Sequence, residues 1–380
     1  MIKKILPAKN VILLLVFWLV VVLFMMFNSY LLTNLTPTKS LLVFGVLLIT
    51  IIAAAFSVIG EADKISEILG EPYGTLILTL SIVIIEVALI LSMLFGPVEA
   101  PEIAKDSVFS VMMIILNLIL GICLIIGGNK YKGQNYNAQG TFVYLALIVI
   151  LAGIGLILPT FMVGNGAGEF TLVQAYGVAF ATLILYGIFI SYQVGSFSFI
   201  FKQPANGGFE YEAVTDDDKN SKQGMLPEVK KEIIYRSVIL VLFILPIVLL
   251  AHNLGAIVDY GIEEFDLPLA LGGVLIAIIV FTPESMAAIK AATNNEMQKT
   301  INLCHGAFVA TLGLTIPGVL LIGLFTNKKI LLGLNGVEIF LFLVTILLSL
   351  ITFNGRKTNP LLGFAHLILF FIYILFIFYP

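Results

Sequence analysis

Charge is the scarcest thing in this chain. Asp, Glu, Lys and Arg make up 11% of its 380 residues, where a soluble globular protein carries about 25%. Twenty basic residues against 23 acidic ones leave a net charge of −3, so no basic surface is available for DNA or RNA, and nucleic acid is excluded as a partner. Cysteine is nearly missing. Cys123 and Cys304 both lie in or at the edge of apolar runs, which supports neither a disulfide framework nor a thiolate metal site; they read as small apolar fillers. The three histidines, His252, His305 and His366, do not stand at ligand spacing, and no HExxH run occurs, so a metal-dependent intramembrane hydrolase lacks its motif. What is abundant is apolar: 60% of residues, with a mean hydropathy of +1.09. That composition excludes a soluble enzyme and a disordered protein, and makes the bilayer the main partner.

A helix needs roughly 20 apolar residues to cross a bilayer. Eleven such stretches occur, at 11–32, 41–59, 74–96, 107–127, 141–160, 172–197, 236–255, 268–291, 304–325, 331–352 and 360–379. Period-2 alternation is almost absent from several of them, which argues against a β-barrel. The first run is too long for a signal-peptide core, no small-residue cleavage site follows it, and it reads as a retained helix. With the N-terminus taken as cytoplasmic, sixteen of the twenty basic residues fall on the inner side, and Lys39, Lys105, Lys328 and Lys329 on the outer. This is the bias expected of cytoplasmic loops. The expected fold is therefore an all-α membrane protein with its N-terminus inside and its C-terminus outside.

One long polar segment, 202–232, interrupts the pattern, with Glu210, Glu212 and Asp216–Asp218 forming an acidic stretch over 210–218. Its composition cannot bury a core and predicts a cytoplasmic loop. It divides the chain into an N-terminal helix and linker (1–40), a five-helix repeat (41–201), the acidic loop (202–232) and a second five-helix repeat (233–380). Five is odd, so the second repeat enters the membrane from the opposite side. Inverted repeats of this kind characterise secondary transporters, with the site near the midplane at the repeat interface.

Spans three and eight correspond in that scheme, and each holds one acid. Glu86 lies at the centre of 74–96, with no other charge between Glu71 and Glu99. About 18 Å of helix separates it from the inner end. Its short side chain cannot snorkel that far, and a central acid costs on the order of 3 kcal/mol on the insertion scale. A partner, a proton or a cation must offset this. Glu284 lies in Phe281-Thr282-Pro283-Glu284-Ser285. Pro283 donates no backbone hydrogen bond, so the carbonyl of Ile279 loses its usual helical partner and becomes a candidate cation ligand. Thr282 and Ser285 add hydroxyls, and Thr79 and Asn117 are further candidate ligands. Asn117 suits either a cavity wall or an interhelical hydrogen bond. Glu338 stands near the outer end of its span. His305 and His366 read mainly as structural, and Trp18, Tyr192 and Gln193 as packing or interface residues.

The run Leu69-Gly-Glu-Pro-Tyr-Gly74-Thr-Leu-Ile-Leu-Thr-Leu-Ser81, followed by Glu86, closely resembles the third helix of the ChaA-type bacterial cation/proton antiporters, within the calcium/cation antiporter superfamily. Thr282-Pro283-Glu284 resembles that family's second acidic signature. Asn294-Asn295-x-x-Gln298-x-x-x-Asn302-Leu303, Ala310-Thr311-x-x-Leu314-Thr315-x-Pro317, Gly355-Arg356-x-Thr358-Asn359 and Gly363-x-Ala365-His366-Leu367 resemble its continuation. The resemblance covers roughly 40–380 outside the acidic loop, itself a family feature. It implies proton-driven export of Ca²⁺, Na⁺ or K⁺ from a bacterial cell, with Glu86 and Glu284 carrying cations and protons and no resident cofactor. Four places depart from the superfamily pattern. Ile82-Val83 and Val280-Phe281 stand where Gly-Asn is common, Gly306-Ala307 where Gly-Ser is, and Ala310 where Gln is. These imply fewer side-chain oxygens than in a typical calcium exchanger, whereas Ca²⁺ takes six to eight.

Two carboxylates can hold one divalent ion, monovalent ions or protons, but not full loads of both, and competition at one site yields exchange. A cation channel, the alternative reading, needs a continuous polar pathway, and this sequence offers only isolated buried polar groups.

Overall fold

The computed structural model describes residues 8–69, 73–96, 100–162, 168–195, 197–204 and 227–379; the acidic stretch 210–218 lies outside them. The chain folds into helices α1 (Ala8–Leu32), α2 (Pro37–Leu69), α3 (Tyr73–Leu94), α4 (Ile103–Tyr131), α5 (Ala138–Phe161), α6 (Leu172–Val194), α7 (Pro227–Glu264), α8 (Ala270–Thr293), α9 (Met297–Thr326), α10 (Gly336–Thr352) and α11 (Pro360–Phe378). Among the described residues there is no strand, only a bridge pairing Asn135 with Lys357. Among the described residues, nine helices are long and apolar enough to cross a membrane, and two shorter apolar segments, Thr79–Leu94 and Gly336–Thr352, coincide with the third and tenth expected spans.

The helix starts are written locally. Asn137 caps α5 by accepting from the Gly140 amide at 3.1 Å. Asn335 and Glu338 form a reciprocal capping box on α10, and Asn359 accepts from Leu361 ahead of Pro360. Each satisfies amides that a helix N-terminus leaves without partners. Among the described residues, π-helical turns occur at Met113–Ile119 in α4, Gly153–Ile157 in α5 and Thr311–Thr315 in α9.

The helices sort into two compact units, and each draws on both halves of the chain. The first comprises α1, α2, α3 and α7; the second comprises α4–α6 and α8–α11. In the first, α2, α3 and α7 pack on one another, with α1 against α7. Phe17 meets Phe243 edge-on at 6.0 Å, and Trp18 Nε1 donates to the Leu242 carbonyl at 3.2 Å. Glu61, 1% exposed, accepts from Asn10 on α1, from Lys64 on its own helix and from Arg236 on α7. Arg236 in turn pairs with Glu232 at 2.8 Å. These pairs tie the turn of α2 just past the apolar segment 41–59 to the start of the segment 236–255 in α7, and a buried ion survives only when so compensated.

In the second unit, α8 lies against α4 and α9, and α11 against α4. Gly273 permits the first contact, because a Cβ there would stand 2.6 Å from the Asp106 carbonyl carbon and the Ser107 nitrogen. Gly121 and Gly363 serve the α4–α11 crossing in the same way. Small residues at such crossings let backbones approach where lipid supplies no hydrophobic drive between helices.

Candidate functional site

Glu86 sits on the inner stripe of α3 with Ile82, Leu89, Ile90 and Met93, all buried, while Leu80 and Ile84 face outward. Its side chain is 0% exposed. Thr79, two turns earlier on the same face, is half-buried. The stripe is pressed on α7 at its far end. A Cβ at Gly255 would meet the Ser92 carbonyl oxygen at 3.1 Å, and one at Gly96 would meet Asp259 Oδ2 at 2.5 Å.

Glu284 belongs to the second unit. It is 8% exposed on the stripe of α8 that includes Ala277, Val280, Ala288 and Ala291, opposite the outward-facing Ile278 and Met286. Pro283 lies inside a helix that runs unbroken from Ala270 to Thr293. Lacking an amide hydrogen, it cannot bond back to the Ile279 carbonyl one turn earlier. The hydroxyls flanking the acid are turned to their own helix. Thr282 donates to the Ile278 carbonyl, and Ser285 to that of Phe281 at 2.7 Å. Both oxygens keep lone pairs for a ligand, but their protons are spent on the backbone. Thr300 of α9 donates to the Ala288 carbonyl at 3.1 Å, fixing the turn after Glu284 against its neighbour.

Asn117, of the two roles open to it, makes interhelical hydrogen bonds. It lies in the π turn of α4, is fully buried, and donates from Nδ2 to Thr345 Oγ1 of α10 at 3.0 Å. Its Oδ1 is 3.1 Å from His366 Nδ1 on α11, and His366 Nε2 is 3.1 Å from Thr352 Oγ1. Because the Asn117 amide carbonyl can only accept, His366 donates to it from Nδ1, and its Nε2 pairs with the Thr352 hydroxyl, so both ring nitrogens are used. His305 is equally buried, its ring against Phe353 at 5.5 Å and Tyr144 at 6.3 Å. Both histidines thus sit in structural surroundings. The structure gathers Ile279, Thr282, Pro283, Glu284 and Ser285 on one helix, Thr79 and Glu86 on another, and Asn117 in the His366 network.

Three buried charges escaped the sequence reading. Asp259 on α7 is 3% exposed, and Glu61 is 1% exposed. Lys105 is 5% exposed, with its Nζ 2.6 Å from Glu102, 3.4 Å from Asp106 and 3.5 Å from Glu338. Glu338, which looked like an interface residue, therefore binds a lysine as well as capping α10. Each stands near the end of an apolar run, where a charge passes for an interface residue. The available signal was the apolar period continuing beyond it: Ala62 and Ile65 after Glu61, and Ile257, Val258 and Ile262 around Asp259, are all buried.

Comparison with known proteins agrees with this architecture. The family described as sodium/calcium exchanger protein matches residues 39–195 and 236–379. The sodium-potassium/proton antiporter ChaA of Escherichia coli (strain K12) is 33% identical over 331 residues, which cover 87% of each chain. Among solved structures, native YfkE superposes with a TM-score of 0.71 at 17% identity, over 98% of this chain and 99% of its own. The H⁺/Ca²⁺ exchanger CAX superposes with a TM-score of 0.66 at 13% identity, over 97% and 89%. With spanning helices and a family match along most of its length, the chain belongs to the sodium/calcium exchanger family and is a multi-pass membrane antiporter, not an enzyme.

Proposed function

We propose that this antiporter exchanges cytoplasmic Ca²⁺, Na⁺ or K⁺ for external protons at a site formed by Glu86 and Glu284. The observation that carries this reading is the pair of buried carboxylates, one on α3 and one on α8, each on the inner stripe of its helix. The two helices hold matching places in the proposed repeats 41–201 and 233–380. Support for those repeats comes from α4 and α9, the fourth and ninth spans, which both carry a π turn near mid-length; π turns recur at functional sites.

Alternating access converts competition into exchange. A proton arriving from outside neutralises a carboxylate and releases the cation; inside, a cation displaces the proton. Thr282 and Ser285 bring hydroxyl oxygens beside Glu284, and backbone carbonyls, the Ile279 carbonyl among them, and water complete the shell of a divalent ion. The E. coli relative is named for sodium, potassium and protons, which favours monovalent ions among this chain's substrates.

Purified protein in liposomes with a trapped pH dye, challenged in turn with CaCl₂, NaCl and KCl, tests the reading. At least one cation is expected to drive a proton flux; no response to any of the three overturns it. The proposed bacterial plasma membrane placement, with the N-terminus cytoplasmic and the C-terminus outside, is tested by reporter fusions at Asn10, Lys219 and Pro380. The first two should report inside and the last outside, and a cytoplasmic Pro380 breaks the inverted arrangement.

A further inference from the structure

A groove of about 330 Å³ opens between α5 and α6, lined by Val143, Leu147, Leu185, Phe189, Tyr192 and Phe201, among others. Its size lies at the lower end of small-ligand sites, about 300–1,000 Å³. Its one amide side chain, Gln193, donates to Tyr144 at 2.9 Å, so the groove presents carbon almost throughout. It continues the apolar surface of the same two helices, where Val149, Ile150, Phe180, Ile184 and Ile188 are exposed. In a multi-pass membrane protein that surface faces acyl chains.

One end of the groove is basic. Phe201 forms its wall, and the exposed Lys202 follows. Hydrogen bonds tie this turn to three other connections of the same unit. Gln203 donates to the Asn135 carbonyl at 2.7 Å and accepts from the Gln298 amide at 2.8 Å, and Asn135 is bridged to Lys357. Lys132, Lys202, Lys299, Arg356 and Lys357 are thereby brought to one end, all exposed. Among the described residues of these turns the acid is Glu296, 3.8 Å from Lys299. Basic pockets between spanning helices on the cytoplasmic side take anionic headgroups.

From these two observations we infer that the α5–α6 groove is a binding site for an anionic phospholipid, with one acyl chain along Leu185 and Phe189 and the phosphate at Lys202. Tyr192, at the groove's basic end and 5.5 Å from Phe197, sits where an aromatic anchors at headgroup level.

Tryptophan quenching by brominated lipid tests this directly, since the chain has one native tryptophan, Trp18. In a Trp18→Phe background, Leu185→Trp places the reporter in the groove, and Phe180→Trp places a control on the open face of the same helix. Should Leu185→Trp fail to fold, Val143→Trp gives the same comparison from the facing helix. Vesicles contain brominated phosphatidylglycerol or brominated phosphatidylcholine at equal mole fraction. The groove reporter should favour the anionic lipid about fivefold, the contribution of one lysine near a charged headgroup, and the control should quench equally with both. Lys202→Gln should abolish the preference. Equal quenching of the groove reporter by both lipids, no quenching at all, or a preference that survives Lys202→Gln each overturns the site.

Discussion

Replacing Glu86 or Glu284 by Gln is expected to abolish exchange while leaving the protein folded and inserted. Gln keeps the shape and the hydrogen-bonding capacity of the carboxyl group but loses its charge and its titrating proton. A divalent ion then loses half of its carboxylate countercharge. Removing one partner from a desolvated charge pair costs about 2–5 kcal/mol, which is a loss of affinity of about 30-fold or more. The cycle also loses a step at which a proton replaces a cation. The measurement is dissipation of an imposed pH gradient in everted vesicles on adding CaCl₂, NaCl or KCl. In the parent protein the cation concentration for half-maximal dissipation should fall as pH rises, because protons and cations compete for the same oxygens. Either variant working at the parent's rate for every transported ion would falsify the two-carboxylate mechanism. Both acids are buried on inner helix stripes, so a loss of folding is checked separately by thermal melting in detergent.

Gly273→Ala should be the most damaging small substitution away from the acids. A Cβ there meets two backbone atoms of α4 at 2.6 Å, whereas carbon contacts settle at about 3.5–4.0 Å. No rotamer can relieve a clash with backbone, so α8 must move away from α4 by about 1 Å. Overpacking of this kind costs typically about 1–3 kcal/mol. Glu284 rides on the same helix about three turns further along, so its position shifts as well, and exchange should fall together with melting temperature. Gly177→Ala on α6 is the matched control. Nothing lies within 4 Å of its Cβ, so it should gain up to about 1 kcal/mol from helix propensity and exchange normally. A Gly273→Ala protein that melts and exchanges like the parent would show that α4 and α8 do not touch there.

Apolar run length alone was enough to make this an all-α membrane protein, because a bilayer admits only segments that satisfy their own backbone and are long enough to cross. The same logic singled out Glu86 and Glu284. A carboxylate in the middle of an apolar run is expensive wherever the helix packs, so burial could be read without knowing any neighbour. The helix ends, the partners of the polar residues and the make-up of the compact units were settled only in three dimensions. Apolar segment 41–59 stops where hydropathy falls, but α2 runs on past it to Leu69, and Glu61 in its first extra turn finds Arg236 across 175 residues of chain. Asn117 suited a cavity or a hydrogen bond equally, and Thr345 and His366, 228 and 249 residues away, decided it. Asp259 and Lys105 became buried charges because neighbouring helices closed over them. The compact units mix helices from both halves of the chain, since packing follows helix faces and small-residue crossings, and chain order constrains neither. Local composition sets the cost of placing a group in lipid; which partner meets that cost depends on contacts between residues far apart in sequence, and those exist only once the helices have packed.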